Sequence, residues 1–245
     1  MKMKGLLPLF VIVFIAVACK KEAVTKPVSF TSTTYQSLGS YDTSGTPNYL
    51  VTPADVVSAD MKAYIATTLI EKTDLRKTHP ELLTTKAIAD IAMTQTSDVA
   101  ITYVSQVTSV SNALGFYTYP TTTPPVSAQD IEKITYVFPN MGSGTKLKAG
   151  DKVKIGRFDA GTSIGFVLLK DAWNTTTKTI DNNAVHFCSN DVLNPEVDPN
   201  LKKHAVLIDY TPENKVLIGF ENTDRTDAKC DHDFNDVVIY ATVTP

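Results

Sequence analysis

The stretch Val99-Ala100-Ile101-Thr102-Tyr103-Val104 decides the fold class. Apart from Ala100, its side chains are β-branched or aromatic, and these suit a pleated, partly buried surface. Runs of the same make recur downstream at residues 114–119, 131–138, 152–158, 163–169, 184–187, 204–210, 215–221 and 236–243. Turn-forming residues separate them, as in Pro139-Asn140-Met141-Gly142, Ala149-Gly150-Asp151 and Thr211-Pro212-Glu213-Asn214. Short strands at regular spacing with no helix between them predict a mainly β fold, an antiparallel β-sandwich or jelly roll. The missing crossover helices exclude a doubly wound α/β sheet.

Upstream, the pattern changes to one of helical spacing, so one or two peripheral helices are expected near the N-terminus. Thr52-Pro53-Ala54-Asp55 has the form of a helix start, with a capping threonine, proline at the first position and an acid in the first turn. Val57, Met61, Tyr64, Ile65 and Leu69 then share one face, and the helix is predicted to end near Lys72. His79-Pro80-Glu81 suggests catalysis at a glance, but a solvated turn before Leu82 and Leu83 is the better reading.

The extreme N-terminus is an export signal. Two lysines, Lys2 and Lys4, precede an apolar run that closes on Ala16-Val17-Ala18-Cys19. The run is shorter than the roughly 20 residues needed to cross a bilayer. The cysteine at the cut resembles the lipobox of bacterial lipoproteins, which predicts residues 1–18 as a signal peptide and Cys19 as the lipidation site. Lys20 in the next position, rather than aspartate, fits sorting to the outer membrane of a Gram-negative bacterium. Residues 19–35, rich in Lys, Thr and Ser, are expected to be a lipidated tether, and 36–245 a single β-sandwich domain.

Formal charge is −3, and it becomes −5 once Lys2 and Lys4 leave with the signal. A mildly acidic domain excludes nucleic acid as the natural partner. After Cys19, only Cys188 and Cys230 remain, and outside the cytoplasm these can form a disulfide or stay as two separate thiols. His79, His186, His204 and His232 are scattered without the spacing of a zinc site.

The sharpest chemistry is near the C-terminus, in Gly219-Phe220-Glu221 and in Asp231-His232-Asp233-Phe234-Asn235-Asp236. An Asp-x-Asp-x-Asn run can fold its oxygens around one cation, and calcium takes six to eight hard oxygens at about 2.3–2.6 Å. Glu221 closes the preceding strand, so a hairpin would bring it beside the run. Four carboxylates in one loop (Glu221, Asp231, Asp233, Asp236) repel one another unless a cation or solvent separates them. The expected metal ligands are therefore Glu221, Asp231, Asp233, Asn235 and Asp236, with calcium as the cofactor. The loop is not an EF-hand, because Asp236 occupies the sixth position where that motif needs glycine, and strands replace the flanking helices. The competing reading is a solvated acidic turn or a set of Asx turns.

These residues also resemble a known family. Gly219-Phe220-Glu221 followed by Asp231-His232-Asp233-Phe234-Asn235-Asp236-Val237-Val238 is similar to the end of domain of unknown function 4114. Further segments match, in order, the LruC-domain lipoprotein family that carries it. They are Asn112-Ala113-Leu114-Gly115-Phe116-Tyr117-Thr118-Tyr119, Val137-Phe138-Pro139-Asn140, Leu147-Lys148-Ala149-Gly150-Asp151, Gly161-Thr162-Ser163-Ile164-Gly165-Phe166, Leu193-Asn194-Pro195-Glu196 and His204-Ala205-Val206-Leu207. The likeness is most specific over 112–245. It implies a secreted or surface β-sandwich with a cation site, and no enzymatic activity follows from it. Two positions depart from the family pattern. Asn222 stands where aspartate is usual, which weakens one ligand or shifts its role to Asp224, and His232 stands where arginine is frequent, its side chain expected to point away from the cation. A Cys188–Cys230 disulfide would pin the acidic loop.

The sequence thus predicts a lipid-anchored cell-envelope module that binds or scaffolds a protein or glycan. Calcium-dependent glycan binding or adhesion is the alternative, with Trp173 and Tyr117 as stacking platforms unless they are core residues. A glycan hydrolase is a weaker alternative, since it needs two carboxyls about 5–9.5 Å apart across a cleft. No nucleophile elbow or zinc helix motif is present.

Overall fold

The computed structural model describes residues 28–84, 89–142 and 144–245. The expected signal peptide and the expected lipidation site, Cys19, lie outside the described residues. The strands run in chain order β1 (Thr34–Ser37), β2 (Ile91–Ala92), β3 (Ser97–Gln106), β4 (Ser111–Pro120), β5 (Lys133–Gly142), β6 (Lys152–Phe158), β7 (Thr162–Leu169), β8 (Trp173–Asn174), β9 (Thr179–Ile180), β10 (His186–Cys188), β11 (Ala205–Tyr210), β12 (Lys215–Phe220) and β13 (Val237–Thr244). Helices α1 (Ala59–Thr68) and α2 (Leu75–Thr78) lie between β1 and β2. No helix among the described residues is long and apolar enough to cross a membrane.

Two sheets form a β-sandwich. The first has the order β1-β5-β4-β7-β10, with β2 also paired to β7, and the second has the order β11-β12-β13-β3-β6. All of these pairings are antiparallel except β1 with β5. Alternate residues from each sheet meet in the central core: Leu114, Phe116, Ile164, Phe166 and Leu168 from one, Ile101, Val153, Ile218, Phe220, Val237 and Ile239 from the other.

Both outer faces are covered as well. Ala113, Tyr117, Ile134, Val167 and Leu169 of the first sheet pack under Phe30, Ala128, Ile131 and Leu193. Val206, Ile208, Leu217, Val238 and Tyr240 of the second pack under Val57, Met61, Leu69, Leu75 and Phe234. Burial on both faces explains why the strands read as continuous apolar runs rather than as strict polar–apolar alternation.

Several boundaries differ from the sequence reading. Strand β5 runs through Pro139-Asn140-Met141-Gly142, where the sequence predicts a turn, and α1 ends at Thr68 rather than near Lys72. Helix α1 begins at Ala59, not at Thr52. Ser58 is its cap, with the Met61 N–H donating to the Ser58 Oγ at 3.0 Å. Asp55 is taken by the sandwich instead: Lys152 Nζ donates at 2.5 Å, Thr102 Oγ1 at 2.9 Å and Tyr240 OH at 3.0 Å. Its backbone N–H also donates to the Gly150 carbonyl at 2.8 Å. A Cβ on Gly150 would lie 2.0 Å from the Asp55 carbonyl, so only glycine admits this approach.

The expected tether, residues 19–35, is already folded within its described part. Phe30 is buried and stacks on His186 at 4.2 Å, Thr33 Oγ1 donates to the Ile131 carbonyl at 2.6 Å, and β1 starts at Thr34. His79-Pro80-Glu81 forms an exposed turn, with His79 Nδ1 2.9 Å from Glu81 Oε1.

Candidate functional site: an acidic loop between the last two strands

The register of the last hairpin builds the site. Phe220 pairs with Val237, so Glu221, just past β12, meets Asp236, just before β13. The chain between them returns across the outer face of the second sheet through residues 231–235. His232 and Phe234 there adopt left-handed backbone, with φ of 60° and 59°. Such a conformation costs a non-glycine residue about 1–3 kcal/mol, and it persists only where surrounding contacts enforce it. The Phe234 ring is fully buried in one apolar cluster with Met61, Leu69 and Leu75, and the Arg225 guanidinium lies 5.2 Å over its face. Gly219 completes the fit, since a Cβ there would lie 2.4 Å from the Phe234 carbonyl oxygen.

Ligand oxygens of Glu221, Asp231 and Asp233 converge to within 4.8 Å of one another. The Glu221 Oε1 accepts from the Thr223 N–H at 2.9 Å, while its buried Oε2 accepts from no N–H, and the Asp236 carboxyl and the Cys230 thiol lie against this carboxylate. Asp233 accepts from the Lys72 N–H at 2.8 Å and from the Asn235 N–H at 3.1 Å. Burial, with the charges of Asp231 and Asp236 adding to it, pushes the Asp233 carboxyl up to about 6. Burial likewise raises Glu221, aided by Asp231 and Asp233. The Asp236 carboxyl lies against that of Glu221 and is raised by burial and by Glu221's charge. Its Oδ2 accepts from the Asn222 N–H at 2.7 Å.

The other expected ligands are placed differently. Asn235 Nδ2 donates to the Leu69 carbonyl at 3.2 Å, which leaves its Oδ1 buried and unpartnered. Asn222 Nδ2 donates to Thr108 Oγ1 at 2.8 Å, and Asp224 receives the Thr226 N–H at 2.8 Å as a local turn. Neither joins the three-carboxylate cluster. His232 turns its Nδ1 to Arg225 Nε at 3.2 Å and to Cys230 Sγ at 3.3 Å.

The described cysteines are both free thiols, so the disulfide considered between Cys188 and Cys230 is not formed. The reason is placement. Cys188 lies on β10 of the first sheet and packs in its outer-face cluster, whereas Cys230 sits beside His232 in the acidic loop. Tyr117 and Trp173 are core residues, 1% and 4% exposed, and neither presents a free ring face as a stacking platform.

Beneath the loop lies a buried polar support that spacing alone did not reveal. His204 bridges the Glu221 carbonyl, at 2.7 Å from Nδ1, and Glu196 Oε1, at 2.7 Å from Nε2, while stacking on Phe187. Arg225 is also buried and donates from Nη1 to the Lys203 carbonyl at 2.9 Å. Only the order of Glu196, His204 and Glu221 in the family-like segments marked them in the sequence.

The acidic side chains of this site lie in a stretch that matches a family model. Residues 158–244 match a domain of unknown function, DUF4114. The matched segment contains β7 to β13, the whole acidic loop and the three polar residues beneath it, Glu196, His204 and Arg225. Residues 231–235 owe their position to a turn outside the segment, since Leu69 and Lys72 precede it. No curated protein and no solved structure matches the chain.

Proposed function

We propose that this chain is a lipid-anchored cell-envelope module of the LruC-domain type, held at the outer membrane through Cys19, whose acidic loop binds calcium. Glu221, Asp231 and Asp233 supply the carboxylates, with Asn235 and Asp236 at the margin. The observation that carries the reading is the convergence of the Glu221, Asp231 and Asp233 carboxylates around a buried Glu221 oxygen, Oε2, that accepts from no N–H. A buried acceptor without a donor costs about 1–3 kcal/mol, and a hard cation removes that cost along with the mutual repulsion. Three acids gathered on one turn suit an ion better than they suit the two faces of a glycosidic bond.

The ion's role on this reading is structural. It closes the loop at the end of the sandwich, and the module binds or scaffolds a protein or glycan in the envelope. Calcium at about 100 times its dissociation constant stabilises a folded state by about 2.7 kcal/mol. For a chain of this size that is a rise in melting temperature of roughly 5–11 °C. Thermal melts of the 20–245 protein in calcium and in chelator should show the rise, and Asp233→Ala should abolish it. Identical wild-type melts in the two buffers would overturn the reading.

A further inference from the structure

The acidic loop does more than close a hairpin, because a separate part of the chain hangs from it. The segment 58–84, containing α1 and α2, covers the outer face of the second sheet, and its 69–75 turn is fastened to residues 232–235. The Lys72 N–H donates to Asp233 Oδ2 at 2.8 Å, the Leu75 N–H donates to the His232 carbonyl at 3.0 Å, and Asn235 Nδ2 donates to the Leu69 carbonyl at 3.2 Å. The Phe234 ring packs among Met61, Leu69 and Leu75. Lys72 is held in left-handed backbone, φ 57°, at the point where it meets Asp233.

Asp233 is thus shared. It is one of the three carboxylates that converge, and it is also the acceptor that holds the helical turn. Glu221 is fixed by the end of β12 and by the Thr223 N–H, whereas Asp233 sits in the loop. Repulsion within the cluster therefore acts mainly on the loop, and the loop carries the turn with it. We propose that calcium in the acidic cluster latches the α1–α2 segment onto the sheet, and that losing the ion releases this segment while the sandwich stays folded. The proposal rests on the calcium reading above and adds the device that the ion operates. The apolar face of the segment, Met61, Leu69 and Leu75 with the adjoining Val57, also rests on the sheet, so release starts at the 69–75 turn, where three hydrogen bonds to residues 232–235 are the ties. Release would uncover Val206, Ile208, Leu217, Val238 and Tyr240, so the domain closes fully only where calcium is present.

Trypsin reads the latch directly. Lys72 and Lys77 expose 79% and 81% of their side chains, and Arg76 44%, yet a protease needs the backbone around them to open. Cleavage after these residues in the 20–245 protein, followed by mass spectrometry, should slow about 100-fold when calcium is raised from chelator to 100 times its dissociation constant. Cleavage after Lys178, on the separate β8–β9 hairpin, should not change. Asp233→Asn removes one of the repelling charges and keeps an oxygen for the Lys72 N–H, at the expense of the Asn235 N–H, which then faces its Nδ2. This variant should be cut at the same rate in both buffers. If calcium raises the melting temperature but leaves the cuts at 72–77 unchanged, the latch is wrong while the calcium site stands. Equal slowing at Lys178 would mean global unfolding and would also overturn the latch. If calcium changes neither melt nor cleavage, both proposals fall.

Discussion

Gly219→Ala probes the crossing of the acidic loop over β12. Gly219 faces outward from the second sheet, under the backbone of residues 233–235. Its β-carbon would meet the Phe234 carbonyl oxygen at 2.4 Å and Leu69 Cδ1 at 2.7 Å. Carbon–oxygen contacts settle near 3.3–3.6 Å, so the carbonyl must retreat by about 1 Å. The Phe234 backbone cannot move alone, because its ring is fully buried and Asp233 and Asn235 flank it in hydrogen bonds to Lys72 and Leu69. Overpacking of this kind costs about 1–3 kcal/mol. In a chain of this length, that lowers the melting temperature by roughly 2–12 °C. The same displacement pulls Asp233 off the cluster, so the calcium-dependent rise should shrink with it. Thermal melts by circular dichroism, with and without calcium, measure both effects. Gly144→Ala is the control: its φ of +80° strains an alanine, but nothing lies within 4 Å of the added carbon. It should lose a little stability and keep the full calcium response. A Gly219→Ala protein that melts with the wild type and responds fully to calcium would refute the close crossing.

Two further outcomes test the first sheet. Phe30→Ala should lower stability by about 3 kcal/mol in urea denaturation, at the low end for a buried phenylalanine because it lies at the rim; no change would show that residues 28–37 add nothing to the fold. His186 gives a pH signature: burial lowers its pKa from 6.5 to about 4, so its neutral form is favoured on folding. The sign follows from linkage. Its contribution is full above the unfolded value and is lost as pH falls from about 6.5 toward 4, by up to about 3 kcal/mol. His186→Gln should flatten that part of the stability profile, and an unchanged slope would assign it to other groups. Asp233 acts in the opposite direction, losing its contribution as pH rises through about 6, so only the difference between variant and wild type isolates the histidine.

The strands were legible in the sequence because their signal is local: β-branched runs bounded by turn residues. Residues 152–158 coincide with β6, and 215–221 runs one residue past β12. Helix α1 was legible in its apolar face but not in its start. Thr52-Pro53-Ala54-Asp55 carries a cap and an acid in the right order, yet Lys152, Thr102 and Tyr240, all distant in sequence, claim the Asp55 carboxylate. One lysine and two hydroxyl donors from the sandwich outweigh the dipole contact that an acid makes in a first helical turn.

By itself, then, the chain determined its β class, its apolar layers and the acids grouped near its C-terminus, all properties of residue type and spacing. Only the tertiary structure decided which oxygens meet. The β12–β13 register sets Glu221 beside Asp236, and left-handed backbone at His232 and Phe234 brings Asp231 and Asp233 to Glu221 while Asn235 turns to Leu69. The tie between Asp233 and Lys72 had no sequence signal at all, because its donor is a backbone amide, which every residue but proline carries, and only folding places that amide in reach.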